Sequence, residues 1–403
     1  MAVSKFKEVK GGITFPRGFV AAGVTAGIKV SKKPDLGLVA SALPCTAAGA
    51  FTTNTVRASC VDWNAAILPS SHIRAIIVNS GNANACTGTR GEEDTKTMAT
   101  LAAQFTGCDE REVCVASTGV IGHYMPMPKV KKAIPDLCRQ LSAKRGTDFA
   151  QAIMTTDLVK KECSFECLIS GKPVRFGAAA KGSGMIAPNM ATMLGFVTTD
   201  AAITAKALNT IVKRVVNRTF NNLTVDGDTS TNDMVVVLAN GVSGITVRTA
   251  AELKQFEEAL HHICSCMCKK IASDGEGATK CIKVTITGAK TEAEAQKTVK
   301  AIANSSLVKT AMFGRDPNWG RILAAIGYSG SAFSKTKIEV CISGLTVFKA
   351  MRPVEFNSVK MVKALKEHEV DIWANMGVGK AEAISHTCDL TYDYIKINAD
   401  YHT

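Results

Sequence analysis

The sequence predicts a mixed α/β fold built from more than one packed unit. Short runs rich in Val, Ile and Ala end in turn residues, longer stretches carry apolar residues at steps of three and four, and the two kinds follow one another along the chain. A length of 403 residues exceeds what one hydrophobic core usually serves. Residues 37–41 and 74–79 read as buried strands, and the first 120 residues, rich in Gly, Ala, Val and Thr, are expected to hold few helices. Spacing predicts helices over 127–143 and 203–218, the latter with Ile203, Leu208, Ile211, Val212, Val215 and Val216 on one face. Thr249 and Glu252 form a capping-box pattern that opens a stripe of Leu253, Phe256, Leu260, Ile263, Met267 and Ile271. A strand over 280–288 follows, where Ile282, Val284 and Ile286 alternate with polar residues. A helix over 292–303 and a strand near 338–342 come next. No repeat, low-complexity tract or Pro/Gly/Ser linker divides the chain.

Composition excludes several classes. Hydrophobic residues make up 46% and charged residues 21%, which is globular and not disordered. The net charge of +13 comes from scattered pairs such as Lys32–Lys33, Lys131–Lys132, Lys160–Lys161 and Lys269–Lys270. Aromatics, at 6%, do not interleave with them. A charge spread in this way is a solvated surface rather than a nucleic-acid groove, and it tolerates carboxylate-bearing substrates. No apolar run reaches the length of a membrane span, and the first twelve residues lack an apolar core, so a cytoplasmic protein with no membrane partner is expected. The 14 cysteines read as small buried hydrophobes in a reducing compartment.

Familiar catalytic signatures are missing. There is no GxSxG elbow, no phosphate-binding P-loop and no GxGxxG after a strand. His261, Cys264 and Cys268 share a helix face at i, i+3 and i+7, but zinc spacings differ and no metal is expected. The chemistry is expected instead from six polar, glycine-rich segments: 79–88, 117–122, 180–192, 224–233, 274–280 and 313–321. Any one of them alone is a tight turn. Six of them, most following strand-like runs, predict a composite site whose glycines permit close backbone approach to a ligand. In the third, Lys181, Gly182, Gly184, Pro188 and Asn189 precede an apolar run beginning at Met193, so a breaker-rich bend feeds a buried strand, with Thr192 at the junction.

These motifs, in this order, resemble the ornithine acetyltransferase (glutamate N-acetyltransferase, ArgJ) family. The resemblance runs from about Gly11 to Thr403. It rests on Gly11-Gly-Ile-Thr-Phe-Pro-Arg-Gly-Phe19, Thr52-Thr-Asn54, Ser117-Thr-Gly119, Lys181-Gly-Ser-Gly184, Ala187-Pro-Asn-Met-Ala-Thr-Met-Leu194 and Ile397-Asn-Ala-Asp-Tyr401. It implies a layered αββα sandwich with a smaller C-terminal α/β unit. It further implies self-cleavage between Ala191 and Thr192, giving an α chain (1–191) and a β chain (192–403) that stay associated and pair into a heterotetramer.

Thr192 would then be the nucleophile, with its new α-amine as the base. An α-amine has an ordinary pKa of about 7.7–8, which suits that role near neutral pH. Thr118 and Gly119 would form the oxyanion hole, and Thr155, Lys181, Thr192, Glu276, Asn398 and Thr403 would bind substrate. The implied reaction carries an acetyl group from N2-acetylornithine to glutamate by a ping-pong route through acetyl-Thr192, without a cofactor. Some relatives also use acetyl-CoA as donor. The alternative is a self-cleaving N-acyl or peptide hydrolase of the same fold, which needs no glutamate.

Overall fold

The computed structural model describes residues 6–187 and 193–400. Alternation and β-branching produce fifteen strands among these residues. A nine-stranded sheet holds β1 (Lys7–Glu8), β2 (Phe19–Val24), β3 (Leu36–Phe51), β4 (Ser70–Asn82), β5 (Val113–Val120), β6 (Lys161–Ile169), β7 (Lys172–Lys181), β8 (Leu194–Thr199) and β9 (Met234–Ala239). A six-stranded sheet holds β10 (Cys281–Ala289), β11 (Glu339–Ile342), β12 (Leu345–Lys349), β13 (Arg352–Pro353), β14 (Glu369–Asn375) and β15 (Ala381–Cys388). The first sheet runs β1-β6-β7-β8-β9-β3-β4-β5, with β2 added on β3.

Strand β3 makes this sheet into two layers. Its first part, Leu36 to Ala40, pairs with β2 and β4. Its register then breaks between Ala40 and Cys45 and again before Ala47, and its second part pairs with β9 from Thr46 to Phe51. Such irregularities bend a strand and let it change layers. Because side chains alternate, Leu194, Phe196, Met234, Val236 and Leu238 of β8 and β9 pack inward on the core of β2–β5. Val197, Val235 and Val237 face the other way. Helices α1 (Ser59–Ile67), α2 (Gly88–Thr106) and α3 (Met127–Arg139) cover the β2–β5 layer, with α4 (Gly146–Ala152) against β2 and β3. Helices α5 (Ala205–Arg218) and α6 (Ala250–Ser273) cover the other layer. The order of layers is therefore αββα, as the family resemblance implied. The remaining helices are α7 (Glu292–Ala303), α8 (Ser306–Phe313), α9 (Trp319–Tyr328), α10 (Ser358–Lys366) and α11 (Tyr392–Asp400). Helices α7 to α10 and the six-stranded sheet share a separate core, which is the smaller C-terminal unit.

Most elements lie where the patterning put them. The Thr249 hydroxyl accepts from the Glu252 N–H (3.3 Å) and the Glu252 carboxylate accepts from the Thr249 N–H (2.9 Å), so the capping box starts α6. The 127–143 helix is shorter than expected and stops at Arg139. The expectation of few helices before residue 120 needs correction, because α2 runs 19 residues. Its buried face is Gly91, Asp94, Thr95, Met98, Ala99, Ala102 and Ala103, and so lacks the large apolar stripe that marks a helix in sequence.

Candidate active site

Sheet direction sets the site. Strand β8 is antiparallel to β7, so Leu194 lies opposite Lys181. It is parallel to β9, so Leu194 also lies beside Met234. The C-terminal ends of β5 and β7 and the N-terminal ends of β8 and β9 therefore meet along one rim. A cavity of about 100 Å³ opens there, lined by Thr118, Gly119, Ile121, Thr155, Thr156, Lys181, Gly184, Met185, Ser230, Asn232, Glu276 and Asn398. Six residues expected at the site line this one cavity: Thr118, Gly119, Thr155, Lys181, Glu276 and Asn398. Ala191, Thr192 and Thr403 lie outside the described residues. Strand β8 begins two positions after Thr192.

The segment leading to residue 188 is held at several points. Asp157 accepts from the Gly182 N–H (2.8 Å), and the Ser183 hydroxyl donates to the Asp274 carbonyl (2.7 Å). Asp226 accepts from the N–H groups of Met185 (2.6 Å) and Ile186 (2.8 Å). Met185 has a φ of 56°, a left-handed conformation uncommon for a non-glycine residue, so the chain bends there, while positions 188–192 of the expected bend lie outside the described residues. Gly119 has a φ of 133°, and a Cβ there would collide with the backbone of Gly81 and Asn82 on neighbouring β4. Only glycine lets β5 lie this close to β4 at the cavity wall.

Two buried lysines on neighbouring strands have opposite surroundings. Lys161 Nζ donates to Asp157 Oδ1 (2.6 Å) and Asp274 Oδ2 (2.6 Å), a closed triad that ties the strand bearing Lys161 to the turn after α6. Lys181 is just as buried, yet its one hydrogen bond among the described residues is a long one to the Thr118 hydroxyl (3.4 Å). Burial pushes the Lys181 ammonium below its ordinary range, while Asp157, Asp233 and Glu276 pull it back. For Asp157, burial is outweighed by the charges of Lys161 and Lys181 and by its hydrogen bonds, so its carboxyl sits below the usual range. The Lys181 ammonium makes no further hydrogen bond among the described residues and lines the cavity, which is how a carboxylate-binding cation is presented. Because Lys181 donates to Thr118, the Thr118 hydroxyl proton remains free to point elsewhere.

Across the cavity, Glu276 is buried, packs on Gly184 and accepts from the Asn398 amide (2.9 Å). A cation on one wall and a carboxylate on another fit a small ligand that carries both charges. Sequence reading singled out the segments holding Ser230, Asn232 and Asp233 but not these residues. Asn232 donates to the carbonyls of Ala83 (2.6 Å) and Ser117 (2.8 Å) and so fixes the loop after β4 against β5. Asp233 is enclosed, its Oδ2 has no hydrogen-bond partner among the described residues, and burial drives its carboxyl far above the usual range against the pull of Lys181. Of the six polar segments, four line the cavity and 79–88 stands behind it. Segment 313–321 does not reach it: it joins α8 to α9, where the Asn318 amide bonds Asp316 (3.1 Å). The turn reading holds for that one.

Fold and cavity define the class: a layered α/β enzyme with a narrow cavity that sets a buried cation on one wall against a carboxylate on another. The ArgJ family pattern matches residues 20–403, and the chain belongs to the ArgJ family. It is 48% identical to the arginine biosynthesis bifunctional protein ArgJ of Symbiobacterium thermophilum, over 98% of this chain and 99% of that protein. It is 45% identical to the ArgJ protein of Bacillus cereus (strain ATCC 10987 / NRS 248), over 98% of each. Among solved structures, the arginine biosynthesis bifunctional protein ArgJ of Bacillus halodurans matches at 46% identity and a TM-score of 0.50. That match covers 52% of this chain and 100% of the solved one.

Proposed function

We propose that this chain is the acetyltransferase of arginine biosynthesis that moves an acetyl group from N2-acetylornithine to glutamate after cutting itself at Ala191–Thr192. The observation that carries this reading is the convergence of Thr118, Gly119, Thr155, Lys181, Glu276 and Asn398 on one cavity, at the rim from which β8 departs just after Thr192. In the proposed maturation the Thr192 hydroxyl attacks the Ala191 carbonyl, the peptide becomes an ester, and water releases residues 1–191. The two products would stay together through the sheet. β7 and β3 lie before the cut, β8 and β9 after it, and each pair across the cut is hydrogen-bonded. The Bacillus halodurans chain, matched along its whole length by about half of this one, has the size expected of one such product.

In the first half-reaction the Thr192 α-amine takes the hydroxyl proton and gives it to the leaving ornithine amine; in the second it takes a proton from the attacking glutamate amine and returns it to the Thr192 oxygen as the ester breaks. The free proton of the Thr118 hydroxyl and the Gly119 N–H would meet the oxyanion. Lys181 would hold the substrate carboxylate, while Glu276, set by Asn398, would hold the side-chain ammonium of ornithine. Thr155 and Thr403 complete the proposed substrate contacts. No resident cofactor is needed. The word bifunctional in the relatives' names favours acetyl-CoA as a second acetyl donor. Fourteen unpaired cysteines suit the reducing cytoplasm, and no described helix is long and apolar enough to cross a membrane. Two αβ units would pair into a heterotetramer.

The test is N-acetylglutamate formation from N2-acetylornithine with and without glutamate. Glutamate-dependent transfer, lost in Thr192→Ala, is expected. Release of free acetate at the same rate without glutamate would favour the hydrolase instead.

A further inference from the structure

On the outer face of the sandwich, a groove opens beside the first strand. Strand β1 pairs antiparallel with β6, Lys7 opposite Glu166 and Glu8 opposite Phe165, and Glu8 also meets Lys270 of α6 at 3.3 Å. Before Lys7 the chain bends at Phe6. The Phe6 ring stacks on His262 of α6 at 4.6 Å and meets Phe165 of β6 edge-on at 5.0 Å. A ring held by two others in this way sets the direction from which the chain arrives. Phe6 itself lines a cavity of about 630 Å³ between α5 and α6, together with Val215 and Arg218 of α5 and Lys254, Glu257, Glu258 and His262 of α6.

The floor of this groove is apolar, since Val215 is buried and Phe6 is half-buried, while its rim is charged. Guanidinium groups of α5 on that rim are already taken: Arg214 by Glu257 (2.6 Å) and Arg218 by both oxygens of Glu292 (2.9 and 3.0 Å). The groove follows α6 backwards from His262 to Lys254, about 12 Å of helix at 1.5 Å per residue. Residues 1–5, Met-Ala-Val-Ser-Lys, join the chain at Phe6, at the His262 end of the groove. Five residues of extended chain reach about 17 Å, enough to run its whole length. Their order also suits it. Lys5 comes next to Phe6, and Glu258 is one turn of α6 before His262. Val3, Ala2 and Met1 follow outward with the apolar surface that the floor lacks on its open side.

We propose that residues 1–5 lie in this groove as a latch, with Val3 on the apolar floor and the Lys5 ammonium against Glu258. Phe6, stacked on His262, and Glu8, paired with Lys270, are the described end of the same latch. The latch precedes the proposed cut at Ala191–Thr192, and α5 and α6 follow it. In the mature protein the N-terminal segment of one product therefore grips two helices of the other, on the face of the sheet opposite its shared inner core. That consequence alone rests on the proposed self-cleavage; the docking of residues 1–5 does not.

The full-length protein and its Thr192→Ala variant are treated with a water-soluble carbodiimide, which joins an amine to a carboxylate only where the two touch, and the digests are read by mass spectrometry. A peptide linking Lys5 to Glu258 is expected in both proteins and is lost in Lys5→Arg. Its absence, or Lys5 linked to carboxylates away from the groove, overturns the proposal. A mixture of isotope-labelled and unlabelled protein tells whose segment fills the groove. Links that combine the two isotopes mean a second copy and overturn it as well. If the chain is cut, the link turns two bands on a denaturing gel into one. A link found in a chain that never cuts leaves the docking intact and removes only the self-cleavage reading. As a second measurement, deleting residues 2–5, or Val3→Asp, should leave transfer activity unchanged. Either change should raise the dissociation constant of the two products in mild urea roughly tenfold, the scale of one buried valine. Products that part no more readily in either variant would overturn the latch.

Discussion

Lys161→Met and Lys181→Met should separate stability from substrate binding. Both lysines are buried, but among the described residues Lys161 is 2.6 Å from each of two carboxylates while Lys181 has one 3.4 Å hydrogen bond, with a hydroxyl. Removing the Lys161 ammonium leaves Asp157 and Asp274 facing each other across the space of one nitrogen atom, away from water. Breaking a buried pair by deleting one partner costs roughly 3–5 kcal/mol, which is about two to four powers of ten in the folding constant. Removing the Lys181 ammonium deletes a buried charge that is poorly matched in the free protein, and Asp157 keeps Lys161 and the Gly182 N–H. That change should move stability by less than about 1 kcal/mol. The ligand, however, loses its carboxylate partner, a charged hydrogen bond of about 1.5–3 kcal/mol, or roughly ten- to hundredfold in KM. Urea unfolding of both variants and steady-state transfer kinetics of Lys181→Met read the two effects. Equal destabilisation by the two substitutions, with KM unchanged in Lys181→Met, would refute the assignment of Lys181 as a ligand-facing cation.

Thr118→Val should keep KM near its starting value and lower kcat by about 10²–10³, the size of one lost oxyanion donor; a rise in KM alone would place Thr118 in binding. Asp233→Asn tests the orphaned carboxyl. The unfolded chain sheds that proton near pH 3.8 while the fold retains it to a much higher pH, so wild-type stability falls as pH climbs through that interval. The asparagine variant should therefore gain in melting temperature over wild type as pH rises from 4 to 7, and a constant difference would count against the buried neutral acid. His386 on β15 has its imidazole lowered to about 4 by burial first and by Lys283 and Lys269 next. The fold holds it neutral while the unfolded chain protonates near 6.5, so stability is lost as pH falls from 6.5 to 4, and His386→Gln should flatten that loss.

Much of this was legible in the chain because it is encoded locally. The capping box of Thr249 and Glu252, the α6 stripe and the alternation in β10 each depend on neighbours in sequence, and each stands where patterning put it. Helix α2 was not legible, since alanine and threonine bury without marking a face. Polar segments announced the cavity but not its membership. Segment 313–321 has the same composition as the others, yet it spends its polar groups on its own turn, a distinction that only the tertiary arrangement makes. Asp157, Lys161 and Asp274 converge from positions up to 117 residues apart, counted from Asp157 to Asp274, so no spacing rule could join them. The 261–268 cluster drew attention as candidate metal ligands, but Cys264 and Cys268 are buried in the core and His262, not His261, meets the accessible thiol.

The most direct test of the account is the intact mass of the protein under denaturing conditions after incubation with N2-acetylornithine alone. Two fragments are predicted, the second beginning at Thr192 and carrying one acetyl group that disappears when glutamate is added. A single uncut chain of 42.6 kDa, or an acetyl group on any residue other than Thr192, would contradict it.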